Sequence, residues 1–133
     1  MKQKSIFKQF ILILLIAALA ISFVSCADGG SQSSSEAKEV SFTFEVYLKD
    51  GSLKSTHKIT TDKSTVGEAL VSEGLIEGDE GPYGLYVKQV DGVVADYDVD
   101  GTYWAFYVNG QYAVSGVDKT KPEQDATYSF RIE

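Results

Sequence analysis

Asp96-Tyr97-Asp98-Val99-Asp100-Gly101 is the segment whose residue types and spacing come nearest to metal chemistry. Alternating carboxylates followed by glycine match the opening of a calcium loop, where positions one, three and five coordinate and the glycine permits the bend. Position twelve, counted from Asp96, should be a bidentate glutamate, but it is Tyr107, and the flanking segments read as strands. An EF-hand is excluded, which leaves a calcium loop of another kind or a solvated acidic turn. Nucleophilic catalysis needs a nucleophile, a base in reach and an orienting group. His57 is the single histidine, set mid-strand between Lys54 and Lys58 without a partner in sequence, and Cys26 is the single cysteine. Paired carboxylates can do acid–base work, but here the acids fall in loops rather than at the ends of buried strands. The expectation is a protein that is not an enzyme, with no cofactor and no metal ligands among its site residues.

The aromatic residues say more. Residues 103–108 put Trp104, Phe106 and Val108 on one face of a strand and Tyr103 and Tyr107 on the other. A strand apolar on both faces is either central in a two-sided core or presents one face to a ligand. A small domain with one helix covers one face of its sheet well, so Tyr83, Tyr86, Tyr97, Tyr103, Tyr107 and Tyr112 cannot all be core. Exposed tyrosines suit recognition of a large ligand or partner, and equally they suit an ordinary sheet surface, where Tyr is favoured anyway.

The elements that must position these residues begin after an N-terminal leader. Lys2, Lys4 and Lys8 precede an uncharged apolar stretch at 10–24, which is shorter than the ~20 residues of a spanning helix. It ends in Phe23-Val24-Ser25-Cys26, which resembles the lipobox of bacterial lipoproteins, in which diacylglycerol is attached to the cysteine thiol and cleavage leaves that residue first. Phe23 stands where the motif usually has Leu. Residues 1–25 are thus expected to be a lipoprotein signal peptide and Cys26 the lipidation site, which anchors the protein in the cell envelope outside the cytoplasmic membrane. Residues 26–38 read as the lipidated cysteine and a Gly/Ser-rich tether, leaving 39–133 as the folded unit.

The chain has 133 residues with 12 Lys+Arg against 19 Asp+Glu, a formal charge of −7. An acidic body argues against nucleic acid, whose phosphates need a basic face. Within the folded unit, Val40, Phe42, Phe44, Val46 and Leu48 alternate with polar residues, the period of a strand with one buried face. Asp50-Gly51 turns the chain into a returning strand at 53–61, whose phase places Leu53, His57 and Ile59 together. Thr65 and Glu68 form a capping box before a short helix with Val66, Ala69 and Leu70 inward, closed by Gly74. Residues 77–84 read as a loop, 85–90 as a strand ending at the turn Asp91-Gly92, and 95–101 as an aspartate-rich loop. After 103–108, Asn109-Gly110 predicts a hairpin to 111–114, and 127–133 is the last strand, with Tyr128, Phe130 and Ile132 on the core side. The fold class is α+β, a small β-grasp-like domain with a mixed sheet packed on one short helix.

Three segments, Thr65-Val66-Gly67-Glu68-Ala69-Leu70, residues 83–92 (YGLYVKQVDG) and residues 103–110 (YWAFYVNG), followed by Gly116-Val117-Asp118, together resemble the transcobalamin-like C-terminal domain family. These are bacterial surface proteins similar to the small C-terminal domain of the animal cobalamin carriers, and the resemblance spans residues 40–133. In the carriers, cobalamin lies between this small domain and a larger helical barrel that has no counterpart here. The resemblance implies that Tyr83, Gly84 and Leu85, with Trp104, Phe106 and Tyr112, line a ligand surface. It further implies that a transporter, a second binding protein or a dimer closes the other side. Two functions follow as expectations. One is a membrane-anchored surface lipoprotein that captures cobalamin or another corrinoid for uptake. The other is a cell-surface module that binds a protein or polysaccharide and no small molecule.

Overall fold

A computed structural model of the protein describes residues 38–133. The expected signal peptide, Cys26 and the tether as far as residue 37 lie outside the described residues. The chain runs β1 (Val40–Tyr47), β2 (Leu53–Thr61), α1 (Val66–Ser72), β3 (Ile76–Gly81), β4 (Gly84–Val90), β5 (Val93–Val94), α2 (Tyr97–Asp100), β6 (Trp104–Val108) and β7 (Gln111–Tyr112), then a 3-10 turn (Val117–Lys119) and β8 (Thr127–Ile132). Five strands form one sheet in the order β2-β1-β8-β6-β7, and β3-β4-β5 form a second. β1 runs parallel to β8, while β2 on one side and β6 on the other are antiparallel to their neighbours, so the large sheet is mixed. A hairpin, a helix and then strands that return to pair beside β1 make the α+β, β-grasp-like arrangement expected from the sequence.

The alternation in β1 has the predicted consequence. Phe42, Phe44 and Val46 are fully buried, and Tyr128 and Phe130 of β8 lie opposite Phe44 and Val46 on the same face. The Phe42 ring meets Tyr128 edge-on at 5.0 Å, and Phe106 packs 5.1 Å from Phe130, an aromatic layer that runs from β1 to β6. Val66, Ala69 and Leu70 of α1 complete the same core. Tyr128 is a fully buried core residue with a polar tip. Its hydroxyl donates to the Lys121 carbonyl (3.2 Å) and accepts from the Glu123 N–H (3.0 Å), and burial pushes its pKa above the ordinary phenolic value.

Helix α1 begins and ends as its sequence dictates. The Thr65 hydroxyl accepts from the Glu68 N–H at 3.1 Å, while the Glu68 carboxylate reaches back to the Ser64 N–H at 3.0 Å, one residue beyond a strictly reciprocal box. At the other end Gly74 takes φ +69°, its N–H bonds the Val71 carbonyl (3.0 Å), and the Leu75 N–H bonds the Leu70 carbonyl (2.9 Å), the paired bonds of a Schellman motif.

Four expectations are corrected. Leu53 does not share the core face with His57 and Ile59 but is half exposed. The register steps from Val46↔Ser55 to Tyr47↔Leu53, so Lys54 is an extra residue that turns Leu53 to the Tyr47 face. Residues 77–84 are not a loop, because most of the segment is strand β3, paired antiparallel with β4. All of β3 after Ile76 is exposed, so no apolar alternation marks it in the sequence. β7 pairs back over Gln111–Tyr112 only rather than to 114. The aspartate-rich segment contains the helical turn α2, capped by Asp96 and closed by Gly101 at φ +73°.

Candidate functional site

A cleft of about 300 Å³ opens where β4, β6 and the chain after β7 converge. β4 contributes Leu85, Tyr86 and Val87, β6 contributes Trp104 and Phe106, and Phe130 of β8 lies behind them. Trp104 and Phe106 are 6 % and 8 % exposed, so they make a floor rather than an open platform. Trp104 is fixed there because its indole N–H donates to the Val93 carbonyl at 3.2 Å. The far wall is the segment from Tyr112 to Val117, in which Tyr112 is 59 % exposed and Val114 stands fully in solvent. Among the described residues, no acidic or basic one lines this cleft.

Four of the six sequence-predicted ligand residues meet here: Leu85, Trp104, Phe106 and Tyr112. Tyr83 and Gly84 are not in the lining. Tyr83 caps the β3–β4 turn at 92 % exposure, with its carbonyl held by the Lys119 ammonium at 3.3 Å. Gly84 takes φ +108° beneath the Asp118 carboxylate. The six predicted residues left out Val87 and the 113–117 wall, and also Tyr86, named in the sequence only among the tyrosines suited to recognition, and Phe130, named only as a core residue. Strand phase carried a signal for Phe130, but Tyr86 and Val87 are neighbours on opposite faces of β4 and no single phase selects both. The irregular wall carried none.

Asp118 belongs to this neighbourhood although it does not line the cleft. Its carboxylate sits against Gly84 and Gly116, its backbone approaches Gly67 of α1, and its Oδ1 is buried without a hydrogen-bond partner. Two glycines, Gly84 and Gly116, make room for the carboxylate, and Gly67 makes room for the backbone that carries it.

Tyr47, Tyr103 and Tyr107 gather away from the cleft floor. On the face of the large sheet away from α1, the Arg131 guanidinium lies between the Tyr47 and Tyr107 rings, 4.6 and 4.4 Å from their centres. The Tyr107 and Tyr103 hydroxyls both donate to the Glu133 side chain, and those hydrogen bonds hold both phenols above their ordinary pKa. Tyr107 meets Tyr112 edge-on at 5.4 Å, which joins this outer row to the rim of the cleft.

The carboxylates of the aspartate-rich segment act on the backbone around them. Asp96 accepts from the Asp98 N–H at 3.1 Å, and Asp100 accepts from the Thr102 N–H (2.9 Å) and hydroxyl (2.5 Å), which holds Asp100 below its ordinary pKa. Lys88 bridges Asp79 (3.0 Å) and Asp96 (3.4 Å), and the hydrogen bond it donates to Asp79 leads the causes that raise its pKa. Among the described residues no group of three or more His, Cys, Asp or Glu side chains is placed to hold a metal ion. His57 is half-buried and stacks on Phe44, and its Nε2 lies 3.8 Å from Asp91 Oδ2. That oxygen also accepts from Lys54 (2.6 Å) and Ser55 (2.7 Å), which ties β2 to the β4–β5 turn.

A family model described as "Domain of unknown function (DUF4430)" matches residues 63–130. No curated protein matches the sequence significantly. Among solved structures, a Ruminococcus gnavus protein described as a proposed metal-binding protein is similar at 26 % identity and a TM-score of 0.65, over 71 % of this chain and 96 % of that one. Haptocorrin in complex with Cbi is similar at 18 % identity and a TM-score of 0.55, over 73 % of this chain but 25 % of haptocorrin. The second likeness is one of fold, and it supports the transcobalamin-like fold that the sequence motifs imply.

Proposed function

The chain belongs to the DUF4430 family, and from its fold and its uncharged aromatic cleft we propose that it is a binding module, not an enzyme, which captures a corrinoid at the cell surface. The observation that carries this reading is the convergence of Leu85, Trp104, Phe106 and Tyr112 on one cleft free of formal charge. A corrin is broad and flat with neutral amides at its edge, so apolar rings beneath it and backbone groups around it are suitable chemistry. The likeness to haptocorrin in complex with Cbi favours the same ligand class.

At about 300 Å³ the cleft lies at the lower limit for small-molecule sites, too small to enclose a corrin. The ligand then rests on this domain and is covered from the other side by a transporter or a second binding protein. Lipid on Cys26 would hold the domain at the envelope where such a partner works. The metal chemistry of the Ruminococcus gnavus description is not carried over, since Asp96 and Asp100 are engaged by their own backbone and by Lys88 or Thr102.

The test is a titration of the protein with cobinamide and cobalamin, following Trp104 fluorescence and heat. Saturable binding supports the reading if its heat weakens in Trp104→Phe and its heat and quenching both weaken in Tyr112→Ala, and no heat and no quenching with either corrinoid overturns it. A second reading, a module for protein or polysaccharide, is favoured by Tyr83 and Val114, both almost fully in solvent yet apolar. Capture of cell-wall polysaccharide that is lost in Tyr83→Ser would decide for it.

A further inference from the structure

The wall from Tyr112 to Ser115 has a second side. There it bounds another cleft, of about 410 Å³, whose opposite bank is Val108 at the end of β6 with Asn109 after it, and Lys119 at the end of the 3-10 turn with Thr120 after it. We infer that this second cleft is an anion subsite, which takes a carboxylate or phosphate group carried on an apolar body.

Charge points to an anion. The chain carries 19 acidic residues against 12 basic ones, yet among the described residues no acid lines this cleft and Lys119 is its single formal charge. Asp118, the neighbour of Lys119, buries its carboxylate against Gly84 and Gly116 instead and does not line the cleft. The Lys119 ammonium is held by the Tyr83 carbonyl at 3.3 Å, which uses one of its three donors and leaves two.

The neutral groups supply donors too. Asn109 accepts from the Thr127 N–H through Oδ1 at 2.9 Å, so its remaining side-chain capacity is the NH₂ group, a donor. Gln111 and Ser115 add an amide and a hydroxyl, both on exposed residues. Thr120 donates its proton to the Gly116 carbonyl (2.9 Å) and is left as an acceptor at the margin. An ammonium with neutral N–H and O–H donors, and no carboxylate to compete, suits an acceptor-only group. Val108, Tyr112 and Val114 provide the apolar contact that would distinguish an amphipathic anion from a bare ion.

This inference stands apart from the corrinoid reading, since it concerns the other side of the wall and its test uses no corrinoid. Benzoate, phenyl phosphate and the neutral control phenol are titrated into the intact protein while amide resonances are followed by NMR. Both anions should give saturable shifts at Tyr112, Ser115 and Lys119, with phenol about tenfold weaker or more. Lys119→Gln should abolish that preference and Lys119→Arg should keep it. Lys88→Gln, a charge change on β4 remote from this lining, should leave it intact. An unchanged Trp104 resonance in Lys119→Gln shows that the variant is folded. Benzoate against phenyl phosphate tells a carboxylate site from a phosphate site. Phenol binding as tightly as the anions, equal binding in Lys119→Gln, or shifts spread over every exposed lysine would each overturn the inference.

Discussion

The carboxylate of Asp118 fills the space that a side chain on Gly84 would need, while Gly116 at the start of Asp118's own 3-10 turn also faces that carboxylate and Gly67 of α1 closes on the Asp118 backbone. This contact joins the start of β4 to the 3-10 turn, and with the Lys119–Tyr83 bond it sets the β3–β4 turn beside the wall of the cleft. Gly84→Ala should therefore destabilise the protein by about 1–3 kcal/mol, through both the contact and the positive φ. In an Asp118→Ala background the same change should cost less, because only the backbone strain is left. Denaturant unfolding of the four proteins gives the coupling directly. Additive costs would mean that the two residues do not press on each other.

Asp91 makes acid stability testable. The hydrogen bond from Lys54, then that from Ser55, holds its carboxyl below the ordinary value. A carboxyl whose pKa is lowered by folding adds stability that is complete above its unfolded pKa and is lost as pH falls through the folded one. Unfolding free energy should thus decline below about pH 4, and Asp91→Asn should flatten part of that decline. At neutral pH the loss of the Lys54 pair should be less than about 1 kcal/mol, since both side chains are partly solvated. Parallel pH profiles for the wild type and Asp91→Asn would remove Asp91 from the account.

Tyr103 and Tyr107 report on Glu133. Each phenol donates to that side chain, and ionising either one breaks the bond and places two negative charges together, so both pKa values lie above the ordinary phenolic value. In an ultraviolet titration at alkaline pH these two should ionise late. Glu133→Gln should bring them back towards the ordinary value, while Tyr128, raised mainly by burial, stays late until the protein unfolds. A titration curve unchanged by Glu133→Gln would sink this assignment.

What the sequence disclosed and what it hid divide along physical lines. Phe42, Phe44 and Val46 announce β1 because one buried face imposes a period of two, and Thr65 with Glu68 announces α1 because helix ends need local donors and acceptors satisfied. β3 stayed hidden because Glu77, Gly78, Asp79 and Glu80 are all exposed and bury nothing in alternation; the strand rests on its backbone ladder with β4. The role of His57 beside Asp91 was also beyond reach, because 34 positions separate them and only the fold brings them to 3.8 Å. For the site, Trp104 and Phe106 were legible as strand residues of definite phase, and Leu85 only through the family resemblance. The wall at 113–117 has no period at all, and Asp118 among its glycines is a tertiary contact.

Tyr112 and Tyr83 separate the two functional readings. Tyr112 borders both clefts, whereas Tyr83 borders neither and projects from the β3–β4 turn. Both are largely exposed, so replacing either with Ala should change folding stability by no more than about 0.5 kcal/mol. A small ligand lodged in the clefts must touch Tyr112, and removing an aromatic contact of that kind should weaken it about tenfold or more. A large partner docking on the outer surface should respond to Tyr83 instead. Affinity for cobinamide, measured by Trp104 quenching, should therefore fall in Tyr112→Ala and hold in Tyr83→Ala. The opposite pattern would place recognition on the exposed turn and end the case for the cleft.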